Sequence, residues 1–353
     1  MEKDKKFDFD DILIVSDYYT NIESRYDDIE LDGFPLITAP MDTVVDLTNI
    51  DSFIEQGIFV ALPRTVQYRD YLKHIKESNK PWGFYKNTFI SLGLKEVQEI
   101  IKGTRYISKD ENILIDVANG HMRSLHHICD SLGHCRPDIN LMVGNIANPE
   151  TYRIFCEYKN VKYVRCGIGN GNGCLTTKST SVGYPMASLI SEIYKIKKDL
   201  SNNNKHTPKI IADGGMKDYS DIIKALYLGA DFVMIGSIFN KALESCGGNY
   251  FHGIKINKVF AKYLYSKGFK IKKHFRGMST KEAQKAMGKK DLKTSEGVVR
   301  YRNVEYTLEG WFENFNHYLR SAMSYTDNYD LNSFIGTSKY CFITTNAYNR
   351  FNK

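Results

Sequence analysis

Cys174 lies in a segment whose composition suits covalent chemistry. The stretch 167–180, GIGNGNGCLTTKST, surrounds this cysteine with glycine and polar residues and contains no apolar run. A thiol among backbone N–H groups, close to the hydroxyls of Thr176 and Thr177, fits an activated thiolate nucleophile. The pattern also fits an ordinary loop thiol, and the residues alone leave both interpretations open. Three other cysteines lie in helical or strand-like contexts and are expected to be small buried hydrophobes: Cys129, Cys156 and Cys166.

The same glycine-rich stretch offers backbone oxygens to a cation. A hard monovalent cation such as potassium takes oxygen ligands. The carbonyl groups of Gly169, Gly171 and Cys174 could converge on such an ion. They form the candidate metal site of this chain.

Glycine and serine cluster at two later points, Asp213-Gly214-Gly215 and Gly236-Ser237. Small residues let backbone N–H groups approach phosphate oxygens closely. The alternative is that these are only turn glycines. Their position after the last two apolar runs of the chain favours a phosphate site.

A run of histidines and cysteines offers a second kind of site. Spacings of three residues can hold zinc, but no second half-site at ligand spacing follows. We favour solvated residues of a surface helix over a zinc site in this segment, which contains His121, His126, His127, Cys129, His134 and Cys135.

Eight short apolar runs without polar alternation are typical of strands buried on both faces of a parallel sheet. They are spaced mostly by roughly 22 to 31 residues, enough for a strand, a helix and two loops. Helical periodicity lies between many of them, as in Lys95–Ile101 and Asp221–Leu228. The pattern predicts an α/β fold with a single (β/α)₈ TIM barrel; an open doubly wound sheet is the alternative. The runs are Pro35–Ala39, Ile58–Leu62, Phe89–Leu92, Asn112–Asp116, Leu141–Gly144, Lys162–Arg165, Lys209–Ala212 and Phe232–Gly236.

The regular alternation ends near Gly247. A Lys-rich stretch (Lys255–Lys290), a helical segment (Trp311–Tyr325) and an Asn-rich end follow. We expect one domain over 1–353, with barrel strands at about 35–236 and a flap and C-terminal elaboration at about 247–353. No inserted regulatory domain is expected.

Composition excludes several classes of protein. The 48 Lys and Arg against 41 Asp and Glu give a net charge of +7, spread along the chain rather than in a stripe or tail, so no nucleic-acid partner is expected. Apolar runs are far shorter than the ~20 residues of a membrane span. Seven cysteines without framework spacing and a polar start predict a reduced, cytoplasmic protein.

Several motifs in order along nearly the whole chain resemble the IMP dehydrogenase/GMP reductase family. They are FDDILI (9–14), SR (24–25), APMDTV (39–44), GIGNGNGCLTTKSTSVGYP (167–185), IIADGG (210–215), GADFVMIGS (229–237), RGMS (276–279), SEG (295–297) and LRSAMSY (319–325).

Three features are similar to the reductases rather than the dehydrogenases. DVANG at 116–120 resembles the reductase form of that loop. The interval from Leu62 to Phe89 leaves no room for the regulatory domains that dehydrogenases insert there. The stretch from Met278 to Glu296 lacks the flap Arg-Tyr pair with which dehydrogenases activate water, since Arg300-Tyr301 comes after the glutamate.

The resemblance implies NADPH-dependent reductive deamination of GMP, or of a close relative such as dGMP, to IMP and ammonia. Cys174 would add to C2 of the guanine ring and form a covalent thioimidate. Thr176 and Glu296 match the relay that protonates the leaving nitrogen. Asp213 would bind the ribose. The exact nucleotide, the choice of NADPH or NADH and the direction in vivo stay open.

The resemblance also implies the rest of the site. Gly214, Gly215, Gly236 and Ser237 would hold the phosphate, and the base would be framed by Gly277, Met278, Ser279, Lys293, Ser295 and Gly297. The cofactor side would comprise Ser24, Arg25, Arg64, Asp116, Val117, Ala118, Ile168 and Gly169. A homotetramer is implied as well.

The chain departs from the reductase pattern around the cofactor and the ring. Pro63-Arg64-Thr65 stands where reductases have a His-Lys-His cluster, and Lys293 replaces an arginine. Three positions near Cys174 also differ: Asn170, Leu175 and Thr177. Two alternatives therefore stay open: IMP dehydrogenase-like, NAD-dependent oxidation of IMP to XMP, and an inactive sensor that binds purine nucleotides.

Overall fold

The computed structural model describes residues 5–31, 33–81, 83–288, 290–292 and 294–351. After a 3₁₀ turn at Phe9–Asp11, the strands are β1 (Ile12–Ile14), β2 (Leu36–Thr38), β3 (Val60–Leu62), β4 (Thr88–Leu92), β5 (Asn112–Ile115), β6 (Asn140–Ile146), β7 (Val161–Cys166), β8 (Lys209–Asp213), β9 (Phe232–Ile235), β10 (Asn249–Phe251), β11 (Ile254–Ile256), β12 (Lys272–Arg276), β13 (Val299–Asn303) and β14 (Tyr340–Phe342).

The helices are α1 (Ile50–Ile54), α2 (Tyr68–Glu77), α3 (Leu94–Ile101), α4 (Arg123–Cys135), α5 (Pro149–Phe155), α6 (Thr176–Thr180), α7 (Met186–Asn202), α8 (Tyr219–Tyr227), α9 (Ser237–Asn240), α10 (Lys258–Ser266), α11 (Lys281–Ala286), α12 (Leu308–Tyr325), α13 (Leu331–Phe334) and α14 (Thr345–Phe351).

Strands β2 to β9 form a parallel barrel. Their order is β2-β9-β8-β7-β6-β5-β4-β3, and a parallel bridge between Ile37 and Phe59 joins the two ends of that order. The Phe59 amide donates to the Leu36 carbonyl at 3.0 Å, and the Thr38 amide donates to the Phe59 carbonyl at 2.9 Å. Each predicted apolar run overlaps one barrel strand, which confirms the (β/α)₈ fold; the open-sheet alternative is wrong.

Apolar side chains fill both sides of the barrel wall. Inside, Phe89, Leu114, Met142 and Ile211 pack together and are almost completely buried. Between the strands and helices lies a larger layer that includes Val143. Burial of one such side chain stabilises the fold by about 1.5–3 kcal/mol. This two-sided burial explains why the strands read as continuous apolar runs.

Helix boundaries follow local capping. Glu96 accepts the Gly93 amide at the start of α3, and Asp218 caps α8 through the Asp221 amide. The His-rich segment forms α4, whose buried residues are Leu125, Ile128, Cys129 and Leu132. Across the residues that the structure describes, no group of three His, Cys, Asp or Glu side chains could hold a metal ion.

Two features go beyond the pattern read from the sequence. The sequence predicts a loop over the whole Gly/Ser/Thr-rich stretch after β7, but this stretch contains the short helix α6. Past the barrel, β11-β10-β12-β13 form an antiparallel sheet, and α10 packs on it through Ala261 and Leu264. Its strands are short, and most of their side chains are polar, so they lack the apolar runs that predicted the barrel. Among the described helices, none is both long and apolar enough to cross a membrane.

Candidate active site

A cavity of about 400 Å³ opens at the carboxyl ends of the barrel strands. This is the face on which barrel enzymes carry their catalytic loops. Many of the predicted site residues line it: Arg64, Asp116, Val117, Ala118, Ile168, Gly169, Gly171, Cys174, Thr176, Asp213, Gly214, Gly215, Gly236, Ser237, Gly277, Met278 and Ser279.

Cys174, Thr176 and Glu296 form a hydrogen-bonded chain at this cavity. The Cys174 thiol donates to Thr176 Oγ1 at 3.2 Å, and the Thr176 hydroxyl donates to Glu296 Oε2 at 2.5 Å. Cys174 is partly exposed. The arrangement links a nucleophile to a carboxylate through one hydroxyl, which is a route for a proton.

Backbone pairing brings Glu296 to the cysteine loop across 120 residues of sequence. The Leu175 amide donates to the Glu296 carbonyl at 2.7 Å, and the Val298 amide donates to the Gly173 carbonyl at 3.2 Å. A Cβ at Gly277 would lie 2.5 Å from the Gly173 carbonyl oxygen. Glycine at 277 therefore permits the close approach of the two segments. We call the pairing of 173–175 with 296–298 the seam.

Asp213, the predicted ribose ligand, is held through one carboxylate oxygen. Its Oδ2 accepts from Asn145 Nδ2 at 2.6 Å and from Arg165 Nη2 at 2.9 Å. Among the described residues no hydrogen bond to Oδ1 is present, so that oxygen is available to hydroxyl groups of a ligand.

Arg165 connects Asp213 to a second carboxylate. Its Nη1 donates to Asp116 Oδ1 at 2.9 Å, and its side chain is only 7% exposed. Burial by itself lowers the pKa of Arg165, but the nearby Asp213 and Asp116 carboxylates outweigh it, so the pKa is raised. The guanidinium therefore stays charged and pairs with both carboxylates beneath the cavity.

Sequence reasoning missed Arg165 and Asn145. The sequence carried a signal for Arg165, because it is one of two cations in the strand VKYVRC, and only the other one, Lys162, is exposed. A charge in a strand buried on both faces must have a partner of opposite charge. Asn145 lies near the end of strand β6, but its amide gave no comparable signal.

The predicted phosphate residues lie together at the ends of β8 and β9. Gly214 has φ of +88°, and a Cβ there would lie 2.9 Å from the Gly171 amide nitrogen. Asn172, which was not predicted, donates to Ser237 Oγ at 3.1 Å. Backbone amides and small side chains thus share one side of the cavity with the cysteine loop.

The cofactor-side predictions divide into two groups. Arg64 lines the cavity, donates to Glu96 Oε2 at 3.3 Å, and has a buried Nε that lacks a partner among the described residues. Ser24 and Arg25 do not line this cavity; the Ser24 amide donates to Asp27 in a turn of the N-terminal segment. Arg64 is ion-paired with Glu96, and its role in binding a phosphate-bearing cofactor stays a prediction.

The remaining predicted residues lie around the seam. Gly297 pairs with Cys174 in an antiparallel bridge, and Ser295 Oγ donates to the Gly297 carbonyl at 3.1 Å. The Gly171 carbonyl accepts the Cys174 amide at 2.9 Å, and the potassium site stays a prediction. Lys293 lies outside the described residues.

His121 locks the loop after β5. The Ala147 amide donates to its Nε2 at 3.1 Å, so Nδ1 carries the proton and donates to Thr151 Oγ1 at 2.8 Å. The Gly120 amide donates to the Asn145 carbonyl at 2.8 Å. These bonds hold the segment 116–121 against the end of β6.

Because of this histidine, we expect the free energy of unfolding to decrease in acid. Burial lowers the pKa of His121, so below about pH 6.5 the unfolded chain takes up a proton that the folded chain resists. Stability is present above that pH and is lost as the pH falls. Urea unfolding at a series of pH values should show that the free energy of unfolding falls less steeply with decreasing pH in His121→Gln than in the wild type. The exposed His134→Gln serves as control and should keep the wild-type slope; equal slopes in all three proteins would contradict the prediction.

Comparison with known proteins identifies the family of this chain. The family model described as IMP dehydrogenase / GMP reductase domain matches residues 6–351. GMP reductase of Exiguobacterium sp. is 28% identical over 98% of both chains, and GMP reductase of Caenorhabditis elegans is 27% identical over 92% of this chain and 88% of its own. GMP reductase of Vibrio cholerae is 29% identical over 77% of this chain and 70% of its own. The chain is a purine-nucleotide oxidoreductase that belongs to the IMP dehydrogenase/GMP reductase family.

Proposed function

We propose that the protein reduces GMP, or a close relative such as dGMP, to IMP with release of ammonia and oxidation of NADPH. The observation that carries the proposal is the chain of hydrogen bonds from the Cys174 thiol through Thr176 to Glu296. A protein that only binds nucleotides has no need of a nucleophile joined to a proton relay, which argues against the inactive sensor.

Each residue of this chain has a defined part in the proposed reaction. Cys174 Sγ bonds to C2 of the guanine ring, and the bond from C2 to its exocyclic amino nitrogen breaks. The leaving nitrogen departs as ammonia, with its proton delivered along Glu296 and Thr176. After reduction at C2 the C–S bond breaks, which releases IMP and restores the thiolate.

Reduction needs two electrons, which a bound NADPH supplies as hydride. Arg64 would bind a phosphate of this cofactor as a charge-assisted donor. Asp116, Val117 and Ala118 line the cavity nearby and would contact the nicotinamide side. Asp213, through its Oδ1, would accept ribose hydroxyls of the purine nucleotide.

One observation favours the reductase over the dehydrogenase alternative. Arg300 and Tyr301 belong to strand β13, and the Tyr301 ring packs edge-on against Tyr250 at 4.9 Å. Neither residue lines the cavity. An Arg-Tyr pair that activates water has to reach the reacting carbon, and this pair is engaged elsewhere.

The direct test is a panel of nucleotides with reduced and oxidised cofactors. We expect GMP to drive consumption of NADPH, followed by the absorbance of the reduced nicotinamide, with one ammonia released per turnover. Formation of reduced cofactor from IMP and NAD, without any consumption by GMP, would favour the dehydrogenase instead.

Glu296→Gln tests the relay. The amide keeps the shape of the carboxylate but cannot hold the proton that ammonia needs, so kcat should fall by about 10²–10⁴-fold. The KM for GMP should change little. Steady-state kinetics check this, with the exposed Glu309→Gln as a control that keeps wild-type turnover. A kcat within a few-fold of wild type for Glu296→Gln would remove Glu296 from the mechanism.

A further inference from the structure

A partly buried ion pair lies next to the segment that carries Glu296. Arg276 Nε donates to Asp42 Oδ1 at 3.2 Å, and Arg276 Nη2 donates to Asp42 Oδ2. The two side chains are only 16% and 11% exposed. This is a two-point contact between planar groups, which restricts orientation as well as distance.

The pair joins two walls of the cavity. Asp42 directly follows Met41, and Arg276 directly precedes Gly277; both neighbours line the cavity. Asp42 belongs to the loop after barrel strand β2, whereas Arg276 ends β12 of the antiparallel sheet. The ion pair therefore ties the sheet to the barrel beside the reacting groups.

From Arg276 a continuous path of backbone pairing leads to Glu296. Arg276 pairs with Val299 in the β12–β13 ladder, and the Gly277 amide donates to the Val298 carbonyl at 3.1 Å. Val298 and Glu296 then form the seam with Gly173 and Leu175. The carboxylate that meets Thr176 is thus attached to the strand that Arg276 anchors.

We propose that Asp42 and Arg276 are positioning residues for the proposed reaction, because their ion pair holds the segment that carries Glu296 against the cysteine loop. This inference rests on the proposed function and adds two residues that do not themselves touch the reacting atoms. Glu282, whose Oε2 lies 3.5 Å from Arg276 Nη1, is half-exposed and cannot replace Asp42 as a two-point partner.

The test compares the pair in two backgrounds. The double variant Asp42→Asn/Arg276→Gln removes both charges together, whereas a single substitution leaves one partly buried ion without its partner. It is made in the wild-type protein and in Glu296→Gln. Arg276→Lys, which keeps the charge but loses the planar fork, is the conservative variant.

In the wild-type background we expect the double variant to lower kcat by about 10²-fold, since a displacement of about 1 Å can have that effect. The KM for GMP should stay within about threefold, and Arg276→Lys should recover part of the loss. In the Glu296→Gln background the same double substitution should change kcat by less than about twofold, because its effect passes through Glu296. An equal loss in both backgrounds, or an effect on KM alone, would overturn the proposal.

A second measurement does not depend on turnover. Hydrogen exchange of the Leu175 and Val298 amides should be faster in the double variant than in the wild type, because these amides close the seam. Glu305→Gln, which removes the Lys241–Glu305 ion pair (2.9 Å) at the other end of β13, should leave both exchange and kcat unchanged. Unchanged exchange in the double variant would overturn the positioning role. Absence of GMP turnover in the wild type would instead refute the proposed function.

Discussion

Replacing Cys174 with alanine is expected to lower the turnover of GMP by at least about 10⁴-fold, because the covalent route then has no nucleophile. GMP should still bind with nearly unchanged affinity, since Asp213 and the glycine-rich strand ends remain in place. The measurements are consumption of NADPH for turnover and titration calorimetry for binding. Enzyme denatured during turnover should also carry the mass of the nucleotide on the peptide that contains residue 174, and the alanine variant should not.

A matched control is available in another free thiol. Cys341 is exposed on strand β14, outside the residues that line the cavity, so Cys341→Ala should retain wild-type turnover. Turnover that survives in Cys174→Ala would contradict the thioimidate mechanism. Loss of binding together with turnover would mean instead that the cysteine loop holds the nucleotide.

Replacing Arg165 with methionine is expected to lower the free energy of unfolding by about 3–5 kcal/mol at neutral pH. Methionine fills much of the volume but leaves the Asp116 and Asp213 carboxylates without the cation that they share. Urea unfolding of both proteins at neutral pH measures it.

An exposed ion pair of the same protein provides the control for this prediction. Arg153 and Glu150 lie 3.1 Å apart with side chains 44% and 69% exposed. Arg153→Gln should change stability by less than about 1 kcal/mol. A loss for Arg165→Met no larger than that of Arg153→Gln would show that the buried network does not stabilise the fold.

The barrel strands could be predicted because the signal for each one lies in its own residues. A strand buried on both faces has an apolar run of its own, as in Val161–Cys166 and Phe232–Ile235. The strands β10 to β13 had no such signal. Their side chains are mostly polar, so neither the sheet nor its attachment to the barrel could be predicted.

The candidate site divides in the same way. Cys174, Thr176 and Glu296 were singled out from motifs, and their contact distances required the folded chain. Arg165 was missed although its charge inside an apolar strand was visible, because a buried cation requires a partner and the sequence does not say which carboxylate supplies it. The single-domain division, the potassium site and the tetramer stay predictions.

The amino-acid sequence by itself determined the barrel, its strand order along the chain and the kinds of side chain at each strand end, since these follow from short-range apolar periodicity and motif spacing. Only the tertiary structure decided that Glu296 accepts a hydrogen bond from Thr176. It also decided that Arg165 pairs with both Asp116 and Asp213, and that Asp42 pairs with Arg276. Such contacts depend on how distant segments pack, and no local pattern encodes a distance between residues so far apart in the chain.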